Sequence, residues 1–255
     1  MSADLKGRTA LITGGSRGIG LSIAEEMLRS GARVIITARK QPGLDQAVNH
    51  LRHLAPEDAL RAVPCHAGHV DALDTLCTSL NDAGWAPDVL VANAAANPYF
   101  GPLIHAEEAA FEKTFQVNVK GPMWLANRVA RDLMARRASG SILFTSSILG
   151  MRASPGQGLY GMTKAALVSL AQTLAVELGP RNIRVNCISP GLIETKFASA
   201  LTDDETIRAG FERRTALGRI GQPHEIGRLA AWLSSDAASY VTGQNIVADG
   251  GYTSS

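Results

Sequence analysis

The run Thr13-Gly14-Gly15-Ser16-Arg17-Gly18-Ile19-Gly20 follows directly on an apolar β-type segment, Thr9 to Ile12, and opens a stretch with helical apolar spacing (Ile19, Ile23, Ala24, Met27, Leu28). Strand, tight turn and helix in that order commit the chain to an α/β unit. Glycine lets the backbone turn sharply and approach a ligand, and the unpaired N–H groups and positive dipole end of a helix favour an anion. A pyrophosphate fits there, so the segment reads as a dinucleotide-binding turn. Taken alone, it also admits a purely structural strand-to-helix connection.

Further strands are expected at Thr9 to Thr13, Arg33 to Thr37, Leu60 to Cys65, Val89 to Ala92, Ser141 to Thr145, Arg184 to Ser189 and Asn245 to Ala248. Helix-length stretches such as Ala109 to Leu133, Tyr160 to Leu178 and Glu225 to Leu233 lie between them. Continuous apolar strands separated by helices predict an α/β fold: a Rossmann-like doubly wound parallel sheet of about seven strands with helices on both faces. Its crevice lies at the carboxyl ends of the strands, where Gly14, Asn93, Ser147 and Pro190-Gly191 all fall. No linker, low-complexity tract or internal repeat divides the chain, so residues 1–255 read as one dinucleotide-binding domain.

A formal charge of +2 with dispersed residues gives no basis for nucleic acid or a membrane surface as partner, and no apolar run is long enough to span a bilayer. Cys65, Cys77 and Cys187 are odd in number and lack metal-ligand spacing. They read as reduced thiols of a cytoplasmic protein, and no metal is expected.

The glycine spacing is T-G-x-x-x-G-x-G, and it is followed along the chain by Asn93-Ala94-Ala95, Asn118, Ser147, Tyr160-Gly161-Met162-Thr163-Lys164 and Pro190-Gly191-Leu192-Ile193-Glu194-Thr195. Together these resemble the short-chain dehydrogenase/reductase family over nearly the whole chain. The block from Asn93 to Gly101, Arg39-Lys40-Gln41 and Pro180 to Asn186 resemble more narrowly its NADP-dependent carbonyl and retinal reductase branch, the dehydrogenase/reductase member 4 group.

In an NAD enzyme of this architecture a carboxylate at the end of the second strand accepts from the adenosine ribose. Here that place reads Ile36-Thr37-Ala38-Arg39-Lys40, without an acid. Arg39 suits the 2′-phosphate of NADP(H), assisted by Arg17, so NADP(H) is favoured over NAD(H). Adjacent basic residues are also commonly a solvated loop pair. At Cys65-His66-Ala67-Gly68 the family pattern has an aspartate near the adenine, aligned with His66, which reads either as an adenine contact or as an exposed loop histidine.

Tyr160 and Lys164, four apart in a helical stretch, share one face. A nearby cation stabilises phenolate, so Lys164 is expected to lower the Tyr160 pKa. The resemblance makes Tyr160 the acid/base, Ser147 the donor to the substrate carbonyl, Lys164 also a ligand of the nicotinamide ribose and Asn118 the holder of a relay water. Ser147, rather than Ser146, stands thirteen residues before Tyr160 as the pattern requires. The resemblance assigns Gly14, Ser16, Arg17, Gly18, Ile19 and Gly20 to the phosphates, and Asn93 to fixing the fourth-strand turn. Pro190, Gly191, Ile193 and Thr195 fall to the nicotinamide side, with Thr195 alternatively an N-cap.

Substrate contacts are expected from Tyr99 and Phe100, from Leu149 to Gln157 and from Leu192 to about Gly218, mainly apolar, which suits a hydrophobic ketone, aldehyde or alcohol; Tyr99 and Phe100 read equally as lid packing. A 3-oxoacyl-carrier-protein reductase, docking through Arg181, Arg136 and Arg137, an NAD-dependent alcohol dehydrogenase and a non-catalytic dinucleotide sensor are the competing readings. A homo-oligomer, a tetramer on the family pattern, is expected through the helices around Asn118 to Arg131 and Tyr160 to Leu178 and the C-terminal strand edge.

Overall fold

The computed structural model of the chain describes residues 3–54 and 56–254; Met1, Ser2, Ala55 and Ser255 of the expected 1–255 domain lie outside the described residues. Strands β1 (Thr9–Thr13), β2 (Arg33–Ala38), β3 (Leu60–Pro64), β4 (Val89–Ala92), β5 (Gly140–Thr145), β6 (Ile183–Pro190) and β7 (Asn245–Ala248) form one sheet in the order β3-β2-β1-β4-β5-β6-β7. Every pairing is parallel. The order reverses between β1 and β4, which opens a crevice above their carboxyl ends.

Helices α1 (Gly18–Arg29), α2 (Gln41–Leu51), α3 (Val70–Asp82), α4 (Glu108–Phe115), α5 (Gly121–Arg136), α6 (Gly158–Leu178), α7 (Ser199–Thr202), α8 (Glu205–Arg214) and α9 (Pro223–Ser234) connect and cover it. Strand residues alternate between two cores, because successive side chains point to opposite faces. Leu11, Ile35, Leu90, Ile142 and Phe144 pack with Leu76, Leu125, Val129 and Leu167 of α3, α5 and α6. Ala10, Ile12, Val34, Ile36 and Leu143 pack with Ile23, Met27, Leu44 and Ile226 of α1, α2 and α9. Each such fully buried Leu or Ile contributes about 1.5–3 kcal/mol.

The structure departs from the sequence reading at one expected helix. The stretch Ala109 to Leu133 is not continuous: a π-helical turn at Gln116–Lys120 separates α4 from α5. A π turn inserts one residue into the ladder while leaving the local apolar spacing nearly intact, and such turns recur at functional sites. Asn118 sits in its middle, fully buried.

Candidate active site

The glycine turn has the geometry a phosphate requires. Gly14 takes φ +68°, and a Cβ on Gly20 would collide with the Gly14 carbonyl oxygen and come within 2.6 Å of Asn93 Nδ2. A side chain at either place would therefore close the cradle. No side chain caps the N-terminus of α1, whose first turn carries no acid, so its N–H groups remain open to an anion. Those residues fit a dinucleotide pyrophosphate.

Asn93 ties the cradle to β4. Its Nδ2 donates to the Thr13 and Gly14 carbonyls at 3.1 and 3.4 Å, while the backbone N–H groups of Asn93 and Ala94 both donate to Thr13 Oγ1 at 3.1 Å. Across the crevice, the chain after β6 folds back over the turn. The Thr195 methyl lies 3.3 Å from where a Cβ on Gly18 would be, and Ile193 is buried against Gly221. Gly191 N–H donates to the Ala248 carbonyl at 3.0 Å, so the Pro190-Gly191 exit is pinned to the end of β7. Thr195 does not cap α7, whose N-cap is Ala198. Its hydroxyl instead accepts from Ala198 N–H at 3.3 Å, closing a turn. Ser16 is half-buried and Ile19 lies partly inside the crevice wall, whereas Arg17 is exposed.

The side chains expected to be catalytic stand at the exit of β5 and on α6. Ser146 is buried and its hydroxyl donates to the Lys164 carbonyl at 2.7 Å, a purely structural bond. Ser147 Oγ accepts from Leu149 N–H at 3.2 Å, which leaves its own proton to donate. Lys164 is only 2% exposed, donates from Nζ to the Thr145 carbonyl at 2.6 Å and places Nζ 5.2 Å from the centre of the Tyr160 ring. Asn118 accepts from Ala96 N–H at 2.7 Å and donates to the Ala96 carbonyl and to Thr163 Oγ1 at 2.9 and 3.1 Å. Both of its amide protons are thus used, and only a second lone pair on Oδ1 remains for a water.

The electrostatics correct one expectation. Burial pushes the half-buried Tyr160 phenol above its ordinary pKa rather than Lys164 pulling it down. The same burial lowers Lys164 to about 8. Low dielectric disfavours both charged forms, and this cost outweighs the attraction of an ammonium held by the Thr145 carbonyl.

A stability consequence follows for the ligand-free protein. Because the folded pKa of Lys164 lies at about 8, below its ordinary value of 10.5, its cost to stability is complete below pH 8 and disappears as pH rises to 10.5. Lys164→Met should therefore stabilise the protein at pH 7, by about 1–3 kcal/mol, and lose that advantage by about pH 10.5. Denaturant titrations at the two pH values test this; a Met variant weaker than wild type at pH 7 would contradict it.

Around this edge, Tyr99 donates its hydroxyl to the Pro102 carbonyl at 2.7 Å, so it packs the loop rather than offering a donor to substrate. Phe100 is 67% exposed and touches the space above Gly156, whose carbonyl accepts from Gly101 N–H at 3.0 Å. Gln157 precedes α6 and accepts from Asn97 Nδ2 at 3.4 Å, while the Leu192 carbonyl accepts from Gly221 N–H. Within the expected segment from Leu192 to about Gly218, Phe197 is exposed with its ring 6.1 Å from that of Tyr160; sequence reasoning missed Thr163, which links α6 to the π turn.

At the expected adenosine end, Arg39 is exposed directly after β2, and His66 follows β3 at the same sheet edge. Of the arginines of the carrier-protein reading, Arg136 pairs with Asp88 at 3.3 Å and donates to the Pro87 carbonyl, whereas Arg137 and Arg181 are exposed.

A family model described as enoyl-(acyl-carrier-protein) reductase matches residues 14–253. Dehydrogenase/reductase SDR family member 4 of Homo sapiens is 37% identical over 247 residues, 97% of this chain and 88% of that protein. Gluconate 5-dehydrogenase from Burkholderia cenocepacia, solved in complex with NADP and tartrate, superposes with a TM-score of 0.93 at 30% identity over 99% of this chain and 97% of that one. 4-Hydroxyisoleucine dehydrogenase complexed with NADH gives a TM-score of 0.89 at 28% identity over 97% and 99%.

Proposed function

The chain belongs to the short-chain dehydrogenase/reductase family, and on that premise we propose that it is an NADP(H)-dependent oxidoreductase interconverting a hydrophobic ketone or aldehyde and its alcohol. One observation carries the proposal: Lys164 Nζ lies 5.2 Å from the centre of the Tyr160 ring and bonds the Thr145 carbonyl at the end of β5, two residues before Ser147, whose proton is left to donate, at the same carboxyl edge as the glycine cradle.

When bound, the nicotinamide supplies or takes up the hydride. Ser147 donates to the substrate oxygen and orients it. Tyr160, kept as a phenol by burial, gives that oxygen its proton in reduction. Lys164 lies close enough to stabilise the phenolate left behind and to hold a ribose hydroxyl. Asn118 fixes the Ala96 loop against α6 and offers its remaining lone pair to a relay water. Exposed Phe100, Met151 and Phe197 support an apolar substrate, with Leu149, Gln157 and Leu192 at its border.

The competing 3-oxoacyl-carrier-protein reaction keeps Arg137 and Arg181 exposed as candidate docking residues, and the acyl-thioester arm of the test below separates it from the present reading. Cys77 and Cys187, buried thiols pushed up to about 12, support no thiol chemistry. The open outer edge of β7 and exposed Trp124 and Val176 on α5 and α6 support a homotetramer. Loss of NADPH absorbance with a panel of aromatic and aliphatic ketones, a sugar acid ketone and an acyl thioester tests the reading. Turnover of the apolar ketones with NADPH above NADH is expected; turnover of the acyl thioester alone would replace the reading with the carrier-protein one.

A further inference from the structure

Both expected substrate walls meet on one turn to which the mechanism gives no role. The segment after β7, residues 249–254, is held by Asp249, whose carboxylate accepts from the Gly251 and Thr253 N–H groups at 2.9 and 2.8 Å and from the Thr253 hydroxyl at 2.7 Å. Gly251 takes φ +86°, and a Cβ there would stand 2.7 Å from that of Ala216, so glycine is what lets residues 215–217 approach this closely. The Gly250 carbonyl accepts from Leu217 N–H at 3.0 Å. The Tyr252 ring stacks on Phe211 of α8, with centroids 4.9 Å apart and planes 22° from parallel, and the Arg214 guanidinium lies 4.7 Å from its centre. From the other wall, Arg152 donates from Nη1 to the Tyr252 carbonyl at 3.3 Å. α8 buries none of its own residues, so core packing does not fix it and its contacts with this turn weigh the more. An exposed Arg208–Glu194 pair at 3.8 Å adds little.

We propose that Tyr252 is a positioning residue: its ring clasps α8 to the turn after β7, and so to the 149–157 loop, which fixes the spacing of the two walls and with it the size of apolar carbonyl compound admitted. The proposal rests on the oxidoreductase reading above and deepens it. Stacking and cation–π attraction act through the face of the ring, so phenylalanine should serve there as well as tyrosine. The inner end of the segment, which carries Ile193 and Thr195, has bonds of its own. Glu194 N–H donates to the Gly221 carbonyl and Gly221 N–H to the Leu192 carbonyl, each at 2.9 Å, and Gln222 Nε2 donates to Glu194 Oε2 at 2.7 Å. The clasp should therefore govern the substrate and spare the dinucleotide.

Steady-state kinetics with an apolar ketone, NADPH titration and limited trypsin digestion of wild type, Tyr252→Ala, Tyr252→Phe and Phe211→Ala test the assignment. Each alanine variant should raise KM for the ketone about 3- to 30-fold and keep kcat and the NADPH Kd within about 2-fold. Each should also be cut faster after the exposed Arg213 and Arg214, because α8 opens more often. The double alanine variant should do no more than Tyr252→Ala alone, and Tyr252→Phe should match wild type. Alanine variants with wild-type KM and digestion would overturn the proposal, as would a Tyr252→Phe that behaves like Tyr252→Ala, or NADPH binding weakened as much as KM is raised. A lower oligomer mass of Tyr252→Ala by light scattering would overturn it too, by placing the ring between subunits. A wild type that turns over no ketone would defeat the oxidoreductase reading; digestion would still decide the clasp, which fails if the alanine variants leave α8 as resistant as in wild type.

Discussion

Tyr160→Phe should bind NADPH almost as wild type does and lose about 100- to 10,000-fold in kcat, the usual worth of a positioned acid/base. The substitution removes one oxygen and leaves the ring that lies 6.1 Å from Phe197 and 5.2 Å from Lys164 Nζ. Proton delivery is lost while the crevice keeps its shape. Because burial holds the wild-type phenol above its ordinary pKa, Tyr160 stays protonated across the neutral range, and the rate of reduction in wild type should fall only as Lys164 loses its proton around pH 8. Retention of more than about half of wild-type kcat, with chemistry shown to be rate-limiting, would remove Tyr160 from the mechanism.

The cofactor preference should reverse in the double variant Ala38→Asp, Arg39→Ala. A charge-assisted hydrogen bond is worth about 1.5–3 kcal/mol and each ~1.4 kcal/mol is tenfold in affinity, so loss of Arg39 alone should weaken NADPH about tenfold or more and leave NADH little changed. Ala38 ends β2 beside Pro64 of β3, at the height where a carboxylate would meet the adenosine ribose. An aspartate there repels the 2′-phosphate and accepts from the ribose hydroxyls, which adds an unfavourable interaction with one cofactor and a favourable one with the other. Titrating both cofactors into wild type, Arg39→Ala and the double variant checks this. An Arg39→Ala whose NADPH/NADH ratio matches wild type would sink the role of Arg39 without disturbing the Tyr160 mechanism.

Much of the fold was legible because short-range patterns carry it. β1, β4 and β7 fall on Thr9–Thr13, Val89–Ala92 and Asn245–Ala248 as read, since each is a brief apolar run stopped by Gly, Asn or Asp. The i, i+4 spacing of Tyr160 and Lys164 was enough to set them on one face of α6. The π turn at Gln116–Lys120 was not legible, because one inserted residue shifts the helical phase too little to disturb an apolar count. Nor was the direction of the Tyr160 shift, which comes from tertiary burial that no local spacing encodes. The His66 and Lys113 contact joins residues from β3's exit and α4 through packing alone. Asn93 was read for its place after β4, but its partner Thr13 Oγ1 emerges only from the pairing of β1 with β4.

The central claim is that the Ser147, Tyr160 and Lys164 edge reduces a carbonyl at the expense of NADPH, and the most direct measurement follows the transferred atom. Wild type and Tyr160→Phe are incubated with an apolar ketone and NADPH carrying deuterium at both C4 positions of the nicotinamide, and the alcohol is analysed by mass spectrometry. The account predicts an alcohol one deuterium heavier at the carbinol carbon from wild type and, over the same time, almost none from Tyr160→Phe. Undeuterated alcohol, or equal label from both proteins with chemistry rate-limiting, would contradict it.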